Sequence, residues 1–243
     1  MITRKHLLIS LLVVLTSFPR IKAQLTVNSF LELGETNISE GIYLTNGYRS
    51  LYQYQRFLIE AGIVTNLSDV DSVGISGVDL ALSADVKLKS KPIRVRIFYL
   101  MNFVSEYLHE SNTGFTLEMR EWKHLGLRVG NNIKTYTYNR LATNEFGISQ
   151  KDRRFSEYIN LLYDVSAYLK PIGNEWNLGI ACTNTDQYVF NHATNPMLII
   201  RSSYELSPHL SLEMNIGYKR AGIMNISAHH FGYFLRTGIN WSL

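Results

Sequence analysis

The chain has 243 residues, 46% of them hydrophobic, with 24 basic and 20 acidic side chains and a single cysteine. No internal disulfide can form, and beyond the N-terminal region no run approaches the roughly 20 apolar residues that a membrane helix requires. The formal charge of +4 comes from Arg4, Lys5, Arg20 and Lys22, so it gives no support for nucleic-acid binding.

Residues 1–23 read as a secretory signal, with Arg4 and Lys5, an apolar run from Leu7 to Leu15, and Ala23 before Gln24. Cleavage after Ala23 is expected, leaving residues 24–243 as one domain with 20 basic and 20 acidic residues. From there a period of two dominates, the side-chain period of a strand. Val78, Leu80, Leu82, Val86 and Leu88 oppose Asp79, Ser83, Asp85 and Lys87. Ile93, Val95, Ile97, Tyr99, Met101 and Phe103 oppose Arg94, Arg96 and Asn102. Leu198, Ile200, Tyr204 and Leu206 oppose Arg201, Ser203 and Glu205. Leu212, Met214, Ile216 and Tyr218 oppose Glu213, Asn215, Gly217 and Lys219. In FGYFLRTGINWSL, residues 231–243, Tyr233, Leu235, Ile239 and Trp241 share a face against Phe234, Arg236 and Asn240.

Tight-turn signals at Asn46-Gly47, Lys89 to Pro92, Trp122-Lys123, Lys170 to Glu175 and Ser207-Pro208 alternate with longer polar stretches. The latter span Asn66 to Ser72, His109 to Thr113, Arg140 to Arg154, Asn184 to Asn195 and Arg220 to His229. Around Gln53 to Arg56 the parity is ambiguous, and a bulge is expected there. Short turns alternating with long loops are the pattern of a membrane barrel. A secreted β-sandwich is the competitor, but its strands commonly run about 5 or 6 residues, and several runs here are twice as long. The expected fold is therefore an all-β, transmembrane, antiparallel up-and-down β-barrel of about 12 strands, with short turns on the periplasmic rim of a Gram-negative outer membrane. Tyr43, Trp122, Tyr163, Trp176, Tyr204 and Trp241 suit its aromatic girdles.

The inward set is charged and nearly balanced. Lys87, Arg94, Arg96, Arg120, Arg128, Arg201, Lys219 and Arg236 face Glu32, Asp79, Asp85, Glu118, Asp164, Glu205 and Glu213. Hairpin geometry sets Asp85 opposite Arg94 and Glu118 opposite Arg128. One reading is a salt-bridge network that fills a narrow lumen, because enclosed charges must be paired or hydrated. The other is an electropositive lining of Arg94, Arg96, Arg120, Arg128 and Arg236 that selects small anions.

Other chemistry finds little footing. Ser227-Ala228-His229 reverses the His-x-Ser order of the outer-membrane lipid hydrolases, an order that the sequence does contain at His109-Glu110-Ser111 and His209-Leu210-Ser211. No HExxH, P-loop or nucleophile elbow occurs. His229 and His230 would point to opposite faces of a strand, and Asp69 with Asp71 falls short of the 6 to 8 oxygens that calcium takes. Neither cofactor nor catalysis is expected, and Cys182 reads as a lipid-facing hydrophobe.

The signal ending at Ala23-Gln24, the mature length, the hairpin pattern and the aromatic last strand resemble the small outer-membrane β-barrels of Bacteroidetes-type bacteria. Trp241 is followed by Ser242 and Leu243, where the usual last strand ends in Phe or Trp. The resemblance implies insertion by the barrel-assembly machinery and contact with outer-membrane lipid and lipopolysaccharide. That group includes solute channels and secretion components. The leading expectation is a narrow channel for small polar or anionic solutes, with Asp85, Arg94, Arg96, Glu118, Arg120, Arg128, Arg201, Glu213 and Arg236 lining it. The second is a non-conducting structural or secretion-associated barrel that binds proteins, and the third a lipid hydrolase.

Overall fold

A computed structural model describes residues 23–36, 41–68, 74–88, 91–103, 105, 107–119, 124–149, 153–170, 175–185, 196–219 and 232–243. Twelve strands follow in order: β1 (Ala23–Thr36), β2 (Gly41–Tyr54), β3 (Phe57–Asn66), β4 (Gly74–Leu88), β5 (Lys91–Phe103), β6 (Leu108–Met119), β7 (Leu125–Tyr138), β8 (Arg154–Tyr168), β9 (Trp176–Thr183), β10 (Met197–Ser207), β11 (Leu210–Lys219) and β12 (Gly232–Ser242). Each pairs antiparallel with its neighbour in sequence, and β12 returns to β1, closing the barrel. Closure leaves no sheet edge, which is the condition for crossing a bilayer with strands.

The alternation decides which face is which. Leu80, Leu82, Ile97, Leu198, Ile200, Ile216, Tyr233 and Trp241 are all exposed on the exterior. Their inward neighbours Asp79, Ser83, Phe98, Ile199, Asn215 and Phe234 are all buried. An apolar wall around a closed cylinder is the surface that hydrocarbon requires. Trp176, Tyr204 and Trp241 stand outward near the rim of the short turns. The Tyr218 and Tyr233 rings meet at a tilt, 5.0 Å apart, toward the other rim. Tyr43 departs from its expected girdle position: it points inward, almost wholly buried, and its hydroxyl donates to Glu32. Trp122 lies outside the described residues.

Three turn assignments need correction. Asn46-Gly47 is no hairpin but the middle of β2, where Gly47 sits opposite Phe30. A Cβ there would lie 2.3 Å from the Phe30 ring, so the glycine serves a close approach and not a turn. His109 to Thr113 lies within β6, paired to β5 and β7. The expected bulge near Gln53 to Arg56 is instead the β2–β3 hairpin turn at Gln55-Arg56, with Gln55 at a left-handed φ of 53°.

The stretch from Arg140 to Arg154 carries a short helix, α1 (Arg140–Phe146). Asn139 caps it by accepting from Ala142 N at 3.1 Å, and Gly147 ends it at φ 64°. These are the residue types such boundaries favour. Phe146 meets Tyr107 edge-on at 5.2 Å, which seats the helix against the β5–β6 connection.

Candidate functional site

The site is the barrel interior. Two hairpin pairs stand in register: Asp85 faces Arg94 across β4–β5, and Glu118 faces Arg128 across β6–β7. The Arg94 guanidinium holds Asp85 with two bonds of 2.8 and 3.0 Å, the two-pronged geometry that arginine and carboxylate favour. Arg128 reaches Glu118 at 2.9 Å.

Deeper in, pairing runs across more than one strand. Arg96 grips Glu60 at 3.0 and 3.3 Å, and Arg49 donates to Asp79 at 2.7 Å. Arg201 of β10 spans β9 to hold Asp164 of β8. Glu32 gathers three donors: it accepts from Arg236 Nε at 2.8 Å, from Lys219 at 3.3 Å, and from the Tyr43 hydroxyl. Arg236 is also stacked between the Phe30 and Phe234 rings, at 5.2 and 5.4 Å. Buried charges demand this degree of pairing.

Glu213 accepts at 2.6 Å from the Asn240 amide. Lys87 and Glu205, expected inside, are exposed near the short-turn rim. Arg120, Ser227, His229, His230 and the Asp69 to Asp71 stretch lie outside the described residues, as do residues 1–22 of the expected signal. Among the described residues, no group of three or more His, Cys, Asp or Glu is placed to hold a metal.

Sequence reasoning missed Arg49, Glu60, Glu110 and Lys134. All four are buried inside, and Lys134 reaches Glu110 at 3.5 Å. Lys134 was within reach, since it shares parity with Arg128 along β7.

Along the barrel axis the interior changes character. About four residues in from the short-turn rim lies a cavity of about 280 Å³, whose wall includes Asn28, Glu60, Arg94, Thr116, Arg128 and Glu213. Further from that rim on the same strands come Phe30, Val64, Phe98 and Leu100. These join Ala81 and, from the opposite wall, Leu162 in one apolar cluster. A second cluster of Ala181, Met197, Ile199 and Phe234 lines β9, β10 and β12. Phe30, Phe98, Leu100 and Leu162 are only 1 to 4% exposed. They therefore touch one another and not an open bore, so the charged vestibule ends at an apolar tier.

Solved structures of outer-membrane barrels share this architecture, among them the following two. An outer-membrane channel from Pseudomonas putida F1 has a TM-score of 0.56 at 10% identity, covering 93% of this chain and 97% of that one. The KdgM porin has a TM-score of 0.52 at 8% identity, covering 90% and 99%. At such identities the likeness establishes fold and nothing finer. No protein-family model and no curated protein matches the sequence. Closure, apolar exterior and shared architecture together define a 12-stranded β-barrel of the outer membrane.

Proposed function

We propose that this barrel is a narrow channel for small polar or anionic solutes. The observation that carries the reading is the vestibule: a charged, solvent-sized space built into the barrel behind the short-turn rim. Its arginines are restrained by carboxylates, which fits a selective lining more than a wide aqueous pore. The two neighbours named above are described as a channel and a porin, which supports the reading by analogy of fold.

In this reading residues 1–23 are removed on export, the barrel-assembly machinery inserts the chain, and lipid with lipopolysaccharide surrounds it. The hairpin pattern and length favour a place among Bacteroidetes-type barrels. The interior acts by binding and orienting charge, without catalysis or cofactor. The test is single-channel conductance in a planar bilayer, with selectivity measured before and after the double change Arg94→Gln and Arg96→Gln. Discrete open steps with a shift toward cations in the variant are expected. Steps of unchanged selectivity would remove these two arginines from the lining.

The apolar tier supports a second reading, a barrel that does not conduct and acts through its loops and rims. A folded barrel that stays silent in the bilayer, and that co-purifies with a stable partner from native membranes, would favour it.

A further inference from the structure

The vestibule holds three buried polar atoms that no hydrogen bond satisfies among the described residues: Asn28 Oδ1, Thr116 Oγ1 and Arg128 Nε. All three residues line the one cavity, and Asn28 and Thr116 are 1 and 3% exposed. Buried polar groups are nearly always paired, and three of the ten unsatisfied atoms among the described residues belong to side chains around this one space.

The chemistry of the walls is opposed. Glu213 as a carboxylate only accepts, and it takes the Asn240 N–H. That turns the Asn240 carbonyl toward Asn28, whose amide NH2 donates to it. The Asn28 carbonyl is left as an unpaired acceptor beside the cavity, on the same wall as Glu213. In the strand order, β7 stands six places from β1, on the far side of the barrel. There Arg128 presents Nε–H, which can only donate, while its terminal nitrogen holds Glu118. The Thr116 hydroxyl, on adjacent β6, serves either role. The first wall calls for a cationic donor and the second for an anionic acceptor. A pure anion would meet Glu213 and Glu118, and a pure cation would meet Arg94, Arg96 and Arg128.

We propose that the vestibule binds a small zwitterion, its primary ammonium at Asn28 and Glu213 and its carboxylate at Arg128 and Thr116. The site is complete on one side of the apolar tier, so it stands whether or not solute passes that tier, and its test reads binding and not conductance.

The experiment is isothermal titration calorimetry at low salt, on the barrel extracted from outer membranes in detergent. Its probes are 6-aminohexanoate and the single-charge controls hexanoate and hexylammonium. The zwitterion is expected to bind at least tenfold more tightly than either control. Glu213→Gln, which keeps the shape, should bring 6-aminohexanoate down to the level of hexanoate. Arg128→Gln should bring it down to the level of hexylammonium. Should Arg128→Gln fail to fold, Glu213→Gln alone carries the test. Saturable binding that these changes leave untouched would overturn the proposal. So would equal or absent heats for all three probes, which would mean that water alone fills the cavity.

Discussion

Glu32 shows what a single interior side chain can be made to carry. It faces Arg236 across the β1–β12 seam and also takes Lys219 and Tyr43. Breaking one partner of such a buried group typically costs about 3–5 kcal/mol, because the remaining charges stay enclosed. Glu32→Gln is expected to lose stability of that order, read as a lower urea midpoint for unfolding from lipid vesicles. A change under about 1 kcal/mol, the scale of an exposed pair, would mean that water reaches the cluster. Gly47 is a second such position. Its missing Cβ makes room for the Phe30 ring, and Gly217 does the same for Phe234. Gly47→Ala should destabilise the barrel by about 1–3 kcal/mol through overpacking. Phe30→Leu added to it should recover part of that loss, and strict additivity of the two changes would show that the ring is not the obstacle.

At the scale of strands and turns, the alternation was readable because lipid leaves little choice: each strand must put apolar groups outward, and a one-residue slip would reverse every position. That is why the long runs of β4, β5, β10, β11 and β12 were plain in the sequence. The β2–β3 turn was not, since Gln55-Arg56 contains none of the usual turn residues, whereas Asn46-Gly47 has them and is strand. The missed turn hid the parity of β2 and β3, and with it Arg49 and Glu60. Likewise, reading His109 to Thr113 as loop concealed Glu110. The chemical content of the vestibule was legible only in part, because cross-strand partners such as Arg201 and Asp164 depend on a register that one strand does not reveal. The left-handed turn gives its own prediction. A non-glycine residue in that conformation is disfavoured by roughly 1 kcal/mol, so Gln55→Gly should raise stability by up to about that amount in the same vesicle assay. A loss instead would show that the Gln55 side chain contributes more than its backbone costs.

Taken whole, the molecule is a cylinder whose exterior is fixed by lipid and whose interior holds a polar vestibule, an apolar tier and, level with that tier, the ion pairs of Glu32 and Glu110. If solute passes through, the tier is where passage is hardest, and its side chains set the conductance. Phe98→Ala with Leu162→Ala, in a barrel shown to be folded by its gel mobility, is expected to raise single-channel conductance several-fold. The charge selectivity set at the vestibule should be preserved. Equal conductance would place the constriction elsewhere along the axis.

The seam between β1 and β12 carries a further implication. Leu243 N donates to Leu25 O at 2.8 Å, and Ala23 begins its strand on the same rim. In the closed cylinder these two strands are neighbours like any others, and their order in the gene leaves no mark on the wall. A circularly permuted chain, with Leu243 joined to Ala23 by a short linker and new ends opened at Pro208-His209, should therefore rebuild the same barrel. Its last closing step would then fall between β10 and β11.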